Sequence, residues 1–190
     1  MRAFLAARFN PPLEAAARNA QDALKGRSGG GFRWARPEQI HLTLNFLGDI
    51  PEGIIPQLCP AVATAVAGLP AFPLGTAEYG AFPDSAHARI VWLGIEDPTK
   101  GLPPLLTALD AALRPFALHW EERPFVAHLT LGRHRTAGAD LGPAFRSAGR
   151  PCATTHLLDA VALYRSTLAP SGPVHVRLAL APLAAPRPAC

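Results

Sequence analysis

Apolar positions along this chain recur with two periods, and the switches between them mark out the elements. Residues 2–9 alternate weakly and predict a first strand. From Asn10-Pro11 the spacing lengthens: Leu13, Ala16, Ala17, Ala20 and Leu24 predict a helix to about Lys25, with Asn10 as its cap and Pro11 at its first position. The glycine-rich stretch 26–31 reads as a loop; no Gly-Lys-Ser/Thr follows it, so it is not a P-loop. Phe32-Arg33-Trp34 is a short extended piece, Pro37-Glu38 a turn, and Gln39–Leu47 a strand ending at Gly48. Ile54, Ile55, Leu58, Val62, Ala65, Val66 and Leu69 predict a second helix, starting near Pro56 or Pro60 because proline breaks a helix interior.

Two extended runs follow, Phe72–Phe82 and Ala88–Ile95, then a helix whose buried stripe is Leu102, Leu105, Leu106, Leu109, Ala112, Leu113 and Phe116. A strand at Phe125–Gly132, a short helix within 138–150, and strands at Thr155–Arg165 and Val174–Leu180 complete the order. The expected class is α+β: one domain over 1–180 in two similar lobes, each an antiparallel sheet with helices, related by a pseudo-two-fold axis. The stretch 181–190, with Pro182, Pro186 and Pro188, has little to pack and is expected to be a disordered tail.

One tetrapeptide occurs twice on the strand pattern: His41-Leu42-Thr43-Leu44 and His128-Leu129-Thr130-Leu131. With side chains alternating at period 2, each copy presents an imidazole and a hydroxyl on one face and two leucines on the other. If the two strands face each other, two imidazoles and two hydroxyls surround one cleft. A single His-x-Thr on a strand is ordinarily structural; the repetition in the same register is what suggests chemistry.

Composition narrows the chemistry only a little. The 190 residues are 49% hydrophobic and 17% charged, enough for a real core. No apolar run approaches the ~20 residues that span a bilayer, and the first nine residues are too soon interrupted for a signal peptide. Cys59, Cys152 and Cys190 are odd in number and far apart, which fits neither a disulfide framework nor a metal spacing. A reduced, cytoplasmic, monomeric protein is expected. The net charge is +4, carried almost wholly by arginine, which suits bidentate phosphate contacts. A GC-rich coding sequence would give the same excess.

Paired imidazoles suit two chemistries. A zinc site would need three or four ligands, and no carboxylate or cysteine stands beside the motifs to complete one. Alternatively, one imidazole gives a proton and the other takes one, while the threonine hydroxyls donate to an anionic oxygen. That set would cleave a phosphodiester without a metal or other cofactor.

His41-Leu-Thr-Leu with Phe46-Leu47-Gly48, and His128-Leu-Thr-Leu-Gly-Arg133, resemble the two signatures of the 2H phosphoesterase superfamily. Within it the resemblance is to the bacterial and archaeal RNA 2′,3′-cyclic phosphodiesterases, historically called 2′-5′ RNA ligases. Further stretches fit the same family: Phe32-Arg33-Trp34 with Pro37-Glu38, residues 88–94, Arg123-Pro124-Phe125, residues 163–168 and Gly172-Pro173. The chain departs from it at Ala127, Asn45 and His175, where proline, lysine and tyrosine are common.

The resemblance implies a bilobal fold with the motifs lining a central groove. It implies opening of a ribose 2′,3′-cyclic phosphate, on RNA 3′ ends or nucleotides, to a 2′-phosphomonoester. His41 would be the acid, His128 the base, Thr43 and Thr130 the phosphoryl contacts, and Arg133 an added charge. Phe46 and Trp34 are candidate base-stacking rings, and Arg33, Arg36 and Arg165 candidate phosphate contacts. Asn45, in place of lysine, is expected to alter substrate contacts. His87, His119, His134, His156 and His175 have no motif around them and read as surface or structural. The alternatives are a 2′-5′ RNA ligase, which runs the same chemistry backwards, and a non-catalytic RNA-binding module.

Overall fold

The computed structural model of the chain describes residues 1–7, 11–118, 124–136, 138–169 and 172–186. Among the described residues nine strands and four α-helices follow in the order β1 (Arg2–Ala7), α1 (Pro11–Lys25), β2 (Phe32–Trp34), β3 (Thr43–Asp49), α2 (Ile55–Val66), β4 (Phe72–Phe82), β5 (Ile90–Glu96), α3 (Leu102–Leu113), β6 (His128–His134), α4 (Gly142–Ala148), β7 (Thr155–Leu158), β8 (Ala160–Ala169) and β9 (Gly172–Pro182). The strands form two antiparallel sheets, one ordered β3-β1-β8-β9 and the other β2-β6-β5-β4-β7. No helix among the described residues is long and apolar enough to cross a membrane.

The expected α+β class in two lobes is what the chain adopts. The lobes are not its two halves, however. β8 and β9, from the C-terminal third, pair with β1 in the first sheet, while β2 joins the second. The helices are exchanged as well: α1 leaves the first sheet and packs on β6 and β7 of the second, and α3 leaves the second and packs on β3 of the first. The expected strand Thr155–Arg165 is in fact two strands: β7 belongs to the second sheet and β8 to the first, with Asp159 between them.

α1 buries Leu13, Ala16, Ala17, Ala20 and Leu24, the stripe its spacing predicts. α2 begins at Ile55 and runs through Pro60, whose ring lies on the exposed side. The tail expectation needs correcting at its start. β9 continues to Pro182, the Leu183 N–H donates to the Asp159 carbonyl, Ala184 bridges Pro70, and Leu183 is buried. The apolar spacing Ala181–Leu183 extends the strand pattern past the point where the prolines suggested it should stop. Asn10, His119, Arg123 and the last four residues lie outside the described residues.

The motif leucines are where period 2 puts them: Leu42, Leu44, Leu129 and Leu131 are all buried in the core. Burying each fully stabilises by roughly 1.5–3 kcal/mol, which anchors the backbone that carries the histidines.

Candidate active site

The two motif strands meet. Leu42 and Leu129 form an antiparallel bridge between the sheets. In antiparallel register the residue before one partner faces the residue after the other, so His41 stands on the side of Thr130 and Thr43 on the side of His128. Both histidines and both threonines are half-buried.

The two rings are oriented by the same device. His41 Nδ1 is 2.8 Å from the Gln39 carbonyl, and His128 Nδ1 is 2.7 Å from the Val126 carbonyl, each two residues upstream. A carbonyl only accepts, so Nδ1 carries the hydrogen in both rings. Nε2, on the far side of each ring, is left as the atom that takes or gives a proton.

Each ring also has an aromatic wall. Phe4 stacks on His41 with centroids 4.5 Å apart, Tyr164 stacks on the other side of Phe4 at 5.3 Å, and His175 meets His41 edge to face at 5.1 Å. In the other lobe His128 lies 5.0 Å from Phe82, edge to face, and 5.9 Å from Trp92. Trp92 lies over Gly80, where a Cβ would strike its ring.

Burial governs the charge state. Burial first and then His175 bring the His41 imidazole down to about 4, against the Gln39 carbonyl, which pulls the other way, and with smaller downward pushes from His128 and Arg133. His128 is also lowered, first by burial, with the Val126 carbonyl opposing and Arg133 assisting. The Arg133 guanidinium is lowered by partial burial and then by Arg2. The site therefore holds Arg133 and both histidines close enough to feel one another.

Arg133 reaches the cleft because of a β-bulge. On β5–β6, Val91 pairs with Gly132 but Trp92 pairs with Thr130, so Leu131 is an extra residue. A regular strand would put Arg133 on the core face with Leu129 and Leu131; the bulge returns it to the face of His128 and Thr130. The first copy does the same. Leu5 pairs with Asn45 and Ala6 with Thr43, so Leu44 is extra, and Phe46 joins His41 and Thr43 on the face of Phe4. Phe46 is 48% exposed there, open to the cleft. The fourth residue of both tetrapeptides is bulged, and the second residue after it is turned to the cleft.

Asn45 is correspondingly turned away. Its Nδ2 donates to Asp110 of α3 at 2.9 Å, so it faces a helix and the expectation that it alters substrate contacts is corrected. Trp34 is a second correction. It pairs with Gly132, and a Cβ on that glycine would meet Trp34 at 3.2 Å and the buried Val91 at 3.4 Å. It packs on the core side of its sheet, opposite His128. Arg33 pairs with Arg133 and so shares the cleft face. Arg165 pairs with Ala3 and Val176 on the helix side, and Arg36 is ion-paired with Glu38 at 3.1 Å.

Sequence reasoning missed three supporting groups. Phe4 lies in a run whose period promises no function. His175 was expected to be surface or structural; the one signal was its departure from a common tyrosine. Gln21, buried at 2% exposure in α1, donates to the Ala35 carbonyl at 2.7 Å and to the Leu131 carbonyl at 2.8 Å. The bulged residue's carbonyl thus accepts from Gln21 as well as from the Ala35 N–H. Among the described residues, no three His, Cys, Asp or Glu side chains converge as a metal-ligand set.

Residues 9–92 match the family of LigT-like phosphoesterases. The chain is 31% identical over 180 residues to a Methanothermobacter thermautotrophicus protein named RNA 2′,3′-cyclic phosphodiesterase, covering 92% of this chain and 95% of the relative. A Thermotoga maritima protein of the same name is 31% identical over 175 residues, covering 92% and 91%. Among solved structures, TT0787 of Thermus thermophilus superposes with a TM-score of 0.80 at 25% identity, over 96% of this chain and 98% of that one. Escherichia coli LigT complexed with 3′-AMP gives 0.76 at 23% identity, over 96% and 97%.

Proposed function

The chain belongs to the LigT-like phosphoesterase family, and on that premise we propose that it hydrolyses ribose 2′,3′-cyclic phosphates, on RNA 3′ ends or on nucleotides, to 2′-phosphomonoesters without a metal. Water attacks phosphorus as His128 Nε2 takes its proton. The bond from phosphorus to the ribose 3′ oxygen breaks, and His41 Nε2 supplies the proton that makes the 3′ hydroxyl. One proton enters the site with the water and one leaves on the ribose, so the two imidazoles end with their charges exchanged. Thr43 and Thr130 donate to the non-bridging oxygens, where negative charge builds, and Arg133 adds a fixed positive charge. Each acid or base contribution is worth on the order of 10²–10⁴-fold in rate.

A single observation carries the reading: two histidines, on either side of the Leu42–Leu129 bridge, each with Nδ1 tied to its own backbone and Nε2 left over. A packing residue has no need of that orientation twice. With its imidazole lowered to about 4, His41 is neutral at pH 7 on its own, and a bound phosphate anion supplies the negative charge that lets it carry a proton.

The deciding experiment is incubation of a 2′,3′-cyclic nucleotide, and of an RNA ending in that group, with the protein in EDTA, resolving 2′- from 3′-phosphate products. A 2′-phosphate product, unchanged by EDTA and lost in His41→Ala and in His128→Ala, is expected. Full activity in both variants would refute the mechanism. Supplying 5′-hydroxyl RNA in the same assay measures the reverse, ligating direction.

A further inference from the structure

Beside His41 sits a third imidazole that the reaction above does not use. The His175 ring stands edge to face against His41, centroids 5.1 Å apart and planes at 84°. Phe4 holds both rings: it stacks on His41 at 4.5 Å and meets His175 edge-on at 5.0 Å. The placement follows from register. His175 on β9 pairs with Ser166 on β8, and Ser166 with Arg2 on β1, which puts His175 on the same sheet face as Phe4 and Tyr164. His175 Nδ1 is buried with no hydrogen-bond partner. His41 has a carbonyl to fix its tautomer; His175 Nδ1 has none.

We propose that His175 is a positioning residue for His41. It fixes the plane of that ring and, as a second imidazole in contact with it, keeps His41 unprotonated until an anion enters the cleft. Two imidazolium ions at this separation repel strongly in a half-buried setting, so the pair takes up protons in two separated steps. Of the other charged groups, His128 and Arg133 of β6 act on His41 in the same direction. Arg33 of β2 lies beside Gly172 at the start of β9. On the sheet face of the pair stand Tyr164 of β8, Arg177 of β9, and Arg2 of β1, which is paired opposite Asp49 of β3 on the rung that carries His175. Of the charged neighbours that lower His41, His175 acts most strongly, and His175 is itself lowered by burial.

A phenylalanine would supply the same ring contact without a charge, which separates the two parts of the proposal. The His41 ring is titrated by NMR in the full, ligand-free chain of wild type, His175→Phe and His175→Gln. In His175→Phe the His41 midpoint is expected to rise by about half a pH unit or more, and kcat/KM at neutral pH, which scales with the protonated fraction of the acid, to rise with it by about threefold or more. His175→Gln, which also lacks the charge, is expected to raise the midpoint too and covers the case in which the phenylalanine variant fails to fold. An unchanged His41 midpoint in a folded variant overturns the proposal. The kinetic arm rests on His41 being the acid of the reaction, and the NMR arm does not. A shifted midpoint in a protein whose His41→Ala variant keeps full activity would count for His175 and against the reaction proposed above.

Discussion

Leu42 and Leu129 are joined by an antiparallel bridge, and that contact sets the spacing of everything that faces the cleft. Both side chains are buried, at 1% and 0% exposure, so the bridge is held by packing as well as by backbone. Leu129→Ala should cost about 2–5 kcal/mol in urea unfolding, from lost burial plus the cavity left behind. Leu129→Met, which conserves volume, should cost under about 1.5 kcal/mol and retain activity.

Thr43→Val and Thr130→Val keep the β-branched shape and remove only the hydroxyl. Each should lower kcat by about 10²–10³-fold if the hydroxyl donates to the oxygen that gains charge in the transition state. Thermal stability should barely move. A loss confined to KM would assign the threonines to ground-state binding instead.

The pH dependence follows from the lowered histidines. His41 is pushed to about 4 and burial lowers His128 as well, so both shift toward the neutral form in the free protein. kcat/KM reports the free enzyme, whose acid must be protonated, so it should fall as pH rises through neutrality. kcat reports the bound state, where the phosphate anion favours imidazolium, and should hold to higher pH. Stability has its own sign. The unfolded chain binds more protons than the folded one between about 6.5 and 4, so stability is full above that window and is lost as pH falls through it. A lower Tm at pH 5 than at pH 7.5, with a smaller gap in His41→Phe, is the expected result.

Gln21→Met keeps the length of the side chain and removes both hydrogen bonds, leaving the Ala35 carbonyl without that donor. A loss of about 1–3 kcal/mol is expected from a buried unsatisfied group. Because the Leu131 carbonyl sits at the bulge that aims Arg133, KM should rise more than it does for a destabilised core variant of equal Tm. In combination with Arg133→Gln the effects on KM should be less than additive.

Asn45→Ala removes a hydrogen bond to α3 and nothing from the cleft. Stability should drop by about 0.5–1.5 kcal/mol, with kcat and KM unchanged. Asn45→Lys should place an ammonium beside Asp110 and leave kinetics equally untouched.

The fold class, the helical stripe of α1 and the repeated tetrapeptide were legible because each rests on local periodicity. The facing of His41 and Thr43, and of His128 and Thr130, needs only that side chains alternate. The same rule failed one residue later. It would have turned Asn45 to the cleft and Phe46 and Arg133 to the core, because no local signal in Leu44 or Leu131 announces an extra residue in the ladder. Trp34 was misread for a related reason: an aromatic on a short strand says nothing about which face it takes until its partner, Gly132, is known. The exchange of α1 and α3 between lobes, and the split of 155–165 into two sheets, depend on contacts far apart in sequence. So does the arrival of His175 beside His41.

The matched bulges put different groups in corresponding places on the two sides of the groove: a phenyl ring at Phe46 and a guanidinium at Arg133. Two histidines and two threonines related by a half-turn would greet an incoming molecule identically from either end. A hydrophobic plate at one mouth and a cation at the other give the channel a heading. A guest with one flat apolar end and one anionic end would be received differently from the two ends.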